Sequence, residues 1–171
     1  MDRSRPPSRG AGRKTAAIGS RETIADFLGQ RRVAIVGVSR DERAFSRAVM
    51  RELQKRGYDI VPVHPVADEI AGLPVFRRVQ EIAPPAQAVL VMTAAERSAA
   101  VVRDCLAAGV RRVWLHRGGG AGAVSEEAVA LCTEADVELV AGYCPLMFLP
   151  RAGLPHALHG AVLRLLGRYP Q

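Results

Sequence analysis

Two kinds of hydrophobic pattern alternate along the chain. VAIVG, YDIVPV, QAVLVM, RRVWLH and VELVAG are short, nearly continuous apolar runs, as expected of strands covered on both faces. Between them, SRAVMRELQKRG, AERSAAVVRDCLAAG and SEEAVALCTEAD carry apolar residues near helical spacing, and Gly57 and Gly109 are natural C-terminal stops. A short helix, TIADFLGQ, with Thr23 as its cap and Gly29 at its end, precedes the first strand. Strands alternating with helices of about a dozen residues imply parallel βαβ units with right-handed crossovers. The expected architecture is a doubly wound, mostly parallel sheet of five strands with helices on both faces and strand order 3-2-1-4-5. From His64 to Pro85 the pattern leaves room only for a short helix around RRVQEI, in place of a full crossover helix.

Composition narrows this further. The 171 residues fit one domain, and 49% apolar with 24% charged residues is a globular balance. No apolar run is long and uncharged enough to suggest a membrane span, and the N-terminus lacks the apolar core of a secretory signal, so a cytoplasmic protein is expected. Of the net charge of +7, residues 1–21 carry +5 through Arg3, Arg5, Arg9, Arg13, Lys14 and Arg21 against Asp2. The basicity is therefore that of a tail, expected to be disordered, and not of a folded nucleic-acid face. Cys105, Cys132 and Cys144 form no CxxC pair and are expected as reduced thiols.

In an open α/β sheet a ligand sits beyond the carboxyl ends of the strands. Those ends are GVSR, HP, MT, HRGGG and GYCP. Gly37 allows a tight turn, after which Val38, Ser39 and the following amides can face an anion at the start of the Ser46 helix. Ser39 and Ser46 add hydroxyls, and Arg40, Arg43 and Arg47 add charge for phosphate oxygens. A dinucleotide site wants two further glycines, where this chain has Ser39 and Glu42. Sites for NAD also place a carboxylate at the end of strand 2, where this chain has His64 and Pro65. A phosphorylated ribose suits that end better, leaving NADP or coenzyme A, although Asp68 and Glu69 are near enough to reach a ribose.

The blocks AIVGVSRDERAFSRAVMRELQKRGYDIVPVHP, EIAGLPVFRRVQEI, GVRRVWLHRGG and GYCPLMFLP resemble the small stand-alone CoA-binding proteins. Their Rossmann-like domain is similar to the CoA-binding domain of the succinyl-CoA synthetase α subunit. The resemblance runs from about Arg31 to Pro150. It implies that Gly37, Val38 and Ser39 hold phosphate with Ser46 and Arg47 nearby, and that His64 and Pro65 flank the adenosine. It further implies that Met92 and Thr93 cover the adenine or pantetheine, and that His116, Gly118 and Cys144 complete the site from the last two strand ends. His64 stands where the family usually has Asn, and His116 where Gln is common, so a titratable ring replaces a neutral amide at each.

For catalysis the candidates are thin. His156 and His159 share a helical spacing without a third metal ligand, and Cys144 is either a crevice thiol or a small apolar filler. The Gly118 to Gly122 loop, with Ser125 after it, reads equally as a phosphate cradle or a connection. The expectation is a non-catalytic domain over residues 22–150 binding coenzyme A or acyl-CoA. A helical extension over 151–171 is amphipathic enough to pack on its own sheet or on a second copy in a homodimer. Two other readings stand beside it: an NADP-dependent oxidoreductase with His116 as proton donor, and a nucleotide-sensing regulator whose basic tail touches nucleic acid.

Overall fold

The computed structural model describes residues 19–117 and 122–149. Helix α1 (Arg21–Leu28) is opened by Ser20, whose hydroxyl accepts from the Thr23 amide at 3.1 Å. The expected cap, Thr23, lies inside the helix and is buried, because Ser20 precedes it with the extended backbone that a cap requires. The chain continues through β1 (Arg32–Val36), α2 (Phe45–Lys55), β2 (Asp59–Val63), a two-residue hairpin of β3 (Glu69–Ile70) and β4 (Leu73–Pro74), and a 3₁₀ turn (Val79–Glu81). It then forms β5 (Ala88–Val91), α3 (Ala95–Ala107), β6 (Arg112–His116), α4 (Glu126–Glu134), β7 (Glu138–Tyr143) and a second 3₁₀ turn (Pro145–Phe148).

The five longer strands make one parallel sheet in the order β2-β1-β5-β6-β7. The Rossmann-like α/β architecture is the expected one, but the order is 2-1-3-4-5 in the count of those strands, not 3-2-1-4-5. The reason lies in the segment between β2 and β5. It pairs locally, with the His64 amide donating to Phe76 O and the Phe76 amide to Pro62 O. That covers the outer edge of β2, so the next strand joins the vacant side of β1, in register Val33 to Ala88 through Val36 to Val91.

Alternate residues of each strand enter opposite cores, which is why the strands read as unbroken apolar runs. Val33, Ile35, Leu90 and Trp114 pack under α1 and α2, against Ile24, Phe27, Val49, Met50 and Leu53. Ala34, Val36, Val89, Val91 and Leu115 pack under α3 and α4, with Val102, Cys105, Ala128 and Cys132. Trp114 fixes the edge strand by donating its indole N–H to Tyr143 O at 2.9 Å. No helix among the described residues is long and apolar enough to cross a membrane. The basic tail's residues 1–18, and His156, His159 and the rest of the C-terminal extension, lie outside the described residues.

Candidate functional site

Because β1 is flanked by β2 on one side and β5 on the other, the three carboxyl ends of these strands converge. They enclose a cleft of about 820 Å³, within the roughly 300–1,000 Å³ usual for ligand sites. Its floor is apolar: Val36 and Val63 from the strands, Val79 from the 3₁₀ turn, Ala100 and Val101 from α3. Its rim is polar and includes Ser39, His64, Arg77, Thr93, Glu96 and Arg97.

Gly37 turns the chain out of β1 with φ +95°, a conformation L side chains rarely adopt. It also abuts the end of β5, since a Cβ there would lie 2.9 Å from both the carbonyl of Met92 and the amide nitrogen of Thr93. One glycine is enough because one crossing of backbones has to be accommodated. The loop after it is held from within. Ser46, buried in the first turn of α2, accepts from the Ser39 amide at 3.0 Å, Ser39 Oγ accepts from the Asp41 amide, and Asp41 accepts from the Arg43 amide. The Ser39 amide, expected to face an anion, is thus already engaged by Ser46. Arg47 is buried and clamps the loop by donating to the carbonyls of Ser39 and Arg40, both at 3.4 Å, while its Nε has no partner.

At the end of β2, His64 Nδ1 accepts from the amides of Val66 and Ala67, at 3.2 and 3.1 Å. Burial, together with the nearby Arg40 and Arg77 guanidinium groups, pushes the pKa of His64 down. Arg77 donates to Ala67 O at 2.8 Å and pairs with Asp68, so this rim is cross-linked through one residue, Ala67. On the opposite wall, Arg97, Ala100, Val101 and Asp104 fall at the spacing of one face of α3. Asp104 is held by Arg78 at 2.7 Å, which keeps its carboxyl below the usual range. Arg97 is exposed in the first turn of α3, where its amide donates to Ala94 O at 3.0 Å while its guanidinium has no hydrogen-bond or ion-pair partner among the described residues. Thr93 Oγ1 is buried and unpaired at the cleft.

The structure therefore brings Gly37, Val38, Ser39, His64, Pro65, Met92 and Thr93 together around one cleft. Val38 contributes backbone, its side chain being fully buried in the core beneath α2. Arg40, Arg43, Ser46, Arg47, His116 and Cys144 do not line it. Ser46 and Arg47 shape the loop from behind. His116 follows Trp114 on the α2 side of the sheet, where its ring lies 5.5 Å from that of Phe45, and burial lowers its pKa to about 4. Cys144 is buried with Leu146 and Leu149, and burial pushes its thiol up. Gly118 lies outside the described residues. The sequence reading missed Arg77, Arg97 and Asp104. Arg97 carried a legible signal, a cation in the first turn of a helix where the dipole disfavours it.

Residues 31–150 match the family described as CoA binding domain. YneT of Bacillus subtilis (strain 168), described as uncharacterized, is 29% identical over 126 residues, covering 73% of this chain and 90% of YneT. A conserved hypothetical protein of Pyrococcus furiosus superposes with a TM-score of 0.61 at 28% identity, over 67% of this chain and 95% of that one. Acetyl-coenzyme A synthetase 1 of Ca. Korarchaeum cryptofilum, in complex with phosphate and ADP, gives a TM-score of 0.54 at 24% identity, over 61% of this chain and 24% of its own. That last likeness is one of fold.

Proposed function

The chain belongs to the CoA binding domain family, and from that premise we propose that it binds coenzyme A or an acyl-CoA in the cleft between β1, β2 and β5, without catalysis of its own. The observation that carries this reading is the coincidence of the matched region with the cleft. Three separate segments, Gly37 to Ser39, His64 with Pro65, and Met92 with Thr93, meet there although far apart in sequence. The apolar floor suits a nucleobase or the pantetheine methylenes. The rim arginines and the amides of the Gly37 turn suit phosphate.

The residues support binding better than turnover. Cys144 is not at the cleft, and a thiol with raised pKa is a poor nucleophile at neutral pH. His116, the proton donor of an NADP-dependent reductase reading, sits on the other side of the sheet with a pKa of about 4, so at neutral pH it has no proton to give as an acid. Neither that reading nor a nucleic-acid-binding tail is favoured by the family.

Calorimetric titration of the purified chain with CoA, acetyl-CoA and NADP at neutral pH tests the proposal. Saturable binding of CoA or its thioester, with none of NADP, is the expected result. The absence of any CoA binding would remove it.

A further inference from the structure

At the end of β2 the imidazole of His64 is fixed by what its two nitrogens face. Nδ1 accepts two backbone N–H groups, from Val66 at 3.2 Å and Ala67 at 3.1 Å, so it carries no proton. In the neutral ring the proton then sits on Nε2, at the far edge of a side chain that lines the cleft. The charged groups facing it are Arg40, from the loop after β1, and Arg77, whose own carboxylate partner is Asp68. Ala67 is held on both sides, its N–H by His64 and its carbonyl by Arg77, so protonating Nδ1 would break a turn that the rim depends on.

Resting on the coenzyme A reading, we infer that His64 is a neutral Nε2–H donor that makes the end of β2 select a phosphorylated ribose over an unphosphorylated one. A carboxylate at this position accepts from ribose hydroxyls and repels a phosphate; the His64 ring can only donate to the ligand, and although a hydroxyl oxygen also accepts, the bond to a charged phosphate oxygen is the stronger. Asn is a functional substitute in these terms, since its Oδ1 can accept the same turn amides and its Nδ2 can donate into the cleft. His64 thus does with two ring nitrogens what a side-chain amide does with O and N.

The test combines imidazole ¹⁵N NMR of the free protein at pH 7.5 with calorimetry of CoA and 3′-dephospho-CoA on wild type, His64→Asn and His64→Asp. The spectra are expected to show the Nε2–H tautomer. His64→Asn is expected to keep CoA affinity within about threefold, while His64→Asp loses about tenfold for CoA and much less for dephospho-CoA. A protonated Nδ1, or an unchanged preference between the two ligands in His64→Asp, would overturn the role of His64 and leave CoA binding standing. Failure of the wild type to bind CoA at all would instead overturn the reading on which the role rests.

Discussion

Gly37 and Met92 meet backbone to backbone: a Cβ on Gly37 would lie 2.9 Å from the carbonyl carbon and oxygen of Met92. This contact joins β1 and β5, the parallel strands between which the strand order reverses, and it sets the distance between two walls of the cleft. Replacing Gly37 by Ala puts a methyl group into that contact at a φ of +95°. The expected loss of stability is about 2–4 kcal/mol, from left-handed strain plus overpacking, together with loss of CoA binding. Urea unfolding with calorimetry checks both; a variant as stable as wild type would show that the strand ends can part.

Ser46 supports the loop after β1 from behind and does not line the cleft. Ser46→Ala leaves the Ser39 amide without its partner, at a cost of about 1 kcal/mol, and frees the loop to wander. CoA affinity should fall severalfold. Ser46→Thr, which restores the hydroxyl, should recover part of it.

Arg97 is expected to behave in the opposite way. It is exposed, its guanidinium has no partner among the described residues, and its charge opposes the dipole of α3. Arg97→Gln should leave the melting temperature unchanged or slightly raised, yet weaken CoA about fivefold and flatten the dependence of affinity on salt. A variant with unaltered affinity would place Arg97 outside the ligand's reach.

His116 links stability to pH. Its folded pKa of about 4 lies below the ordinary 6.5, so the stability it contributes is fully present above pH 6.5 and is lost as pH falls through 4. The full difference corresponds to about 3 kcal/mol. Unfolding free energies of wild type and His116→Gln should therefore converge or cross between pH 7 and pH 4. Parallel pH profiles would mean the ring charges freely in place.

Cys105, Cys132 and Cys144 are all buried free thiols. Alkylation by iodoacetamide at pH 7.5 should be slow for all three in the native protein and fast in denaturant. Rapid native labelling of Cys144 alone would reopen it as a thiol within reach of ligand.

What the sequence determined by itself was the inventory of layers and the segments able to meet a ligand. Short apolar runs without alternation, rich in Val and bounded by turn residues, read as strands buried on both faces, and the helices between them end at Gly57 and Gly109. The blocks around Gly37 and His64-Pro65 were legible because turn chemistry is local. Strand order was not, since it depends on which edge of β1 remained open after the chain between His64 and Phe76 had paired across β2. Nor was the division of the site, because whether a strand-end residue such as His116 faces the cleft or the opposite core depends on the side of the sheet it is turned to. Arg77, Arg97 and Asp104 reach the cleft only through the packing of the 3₁₀ turn on α3, and the tautomer of His64 depends on two amides that the fold alone brings to its ring.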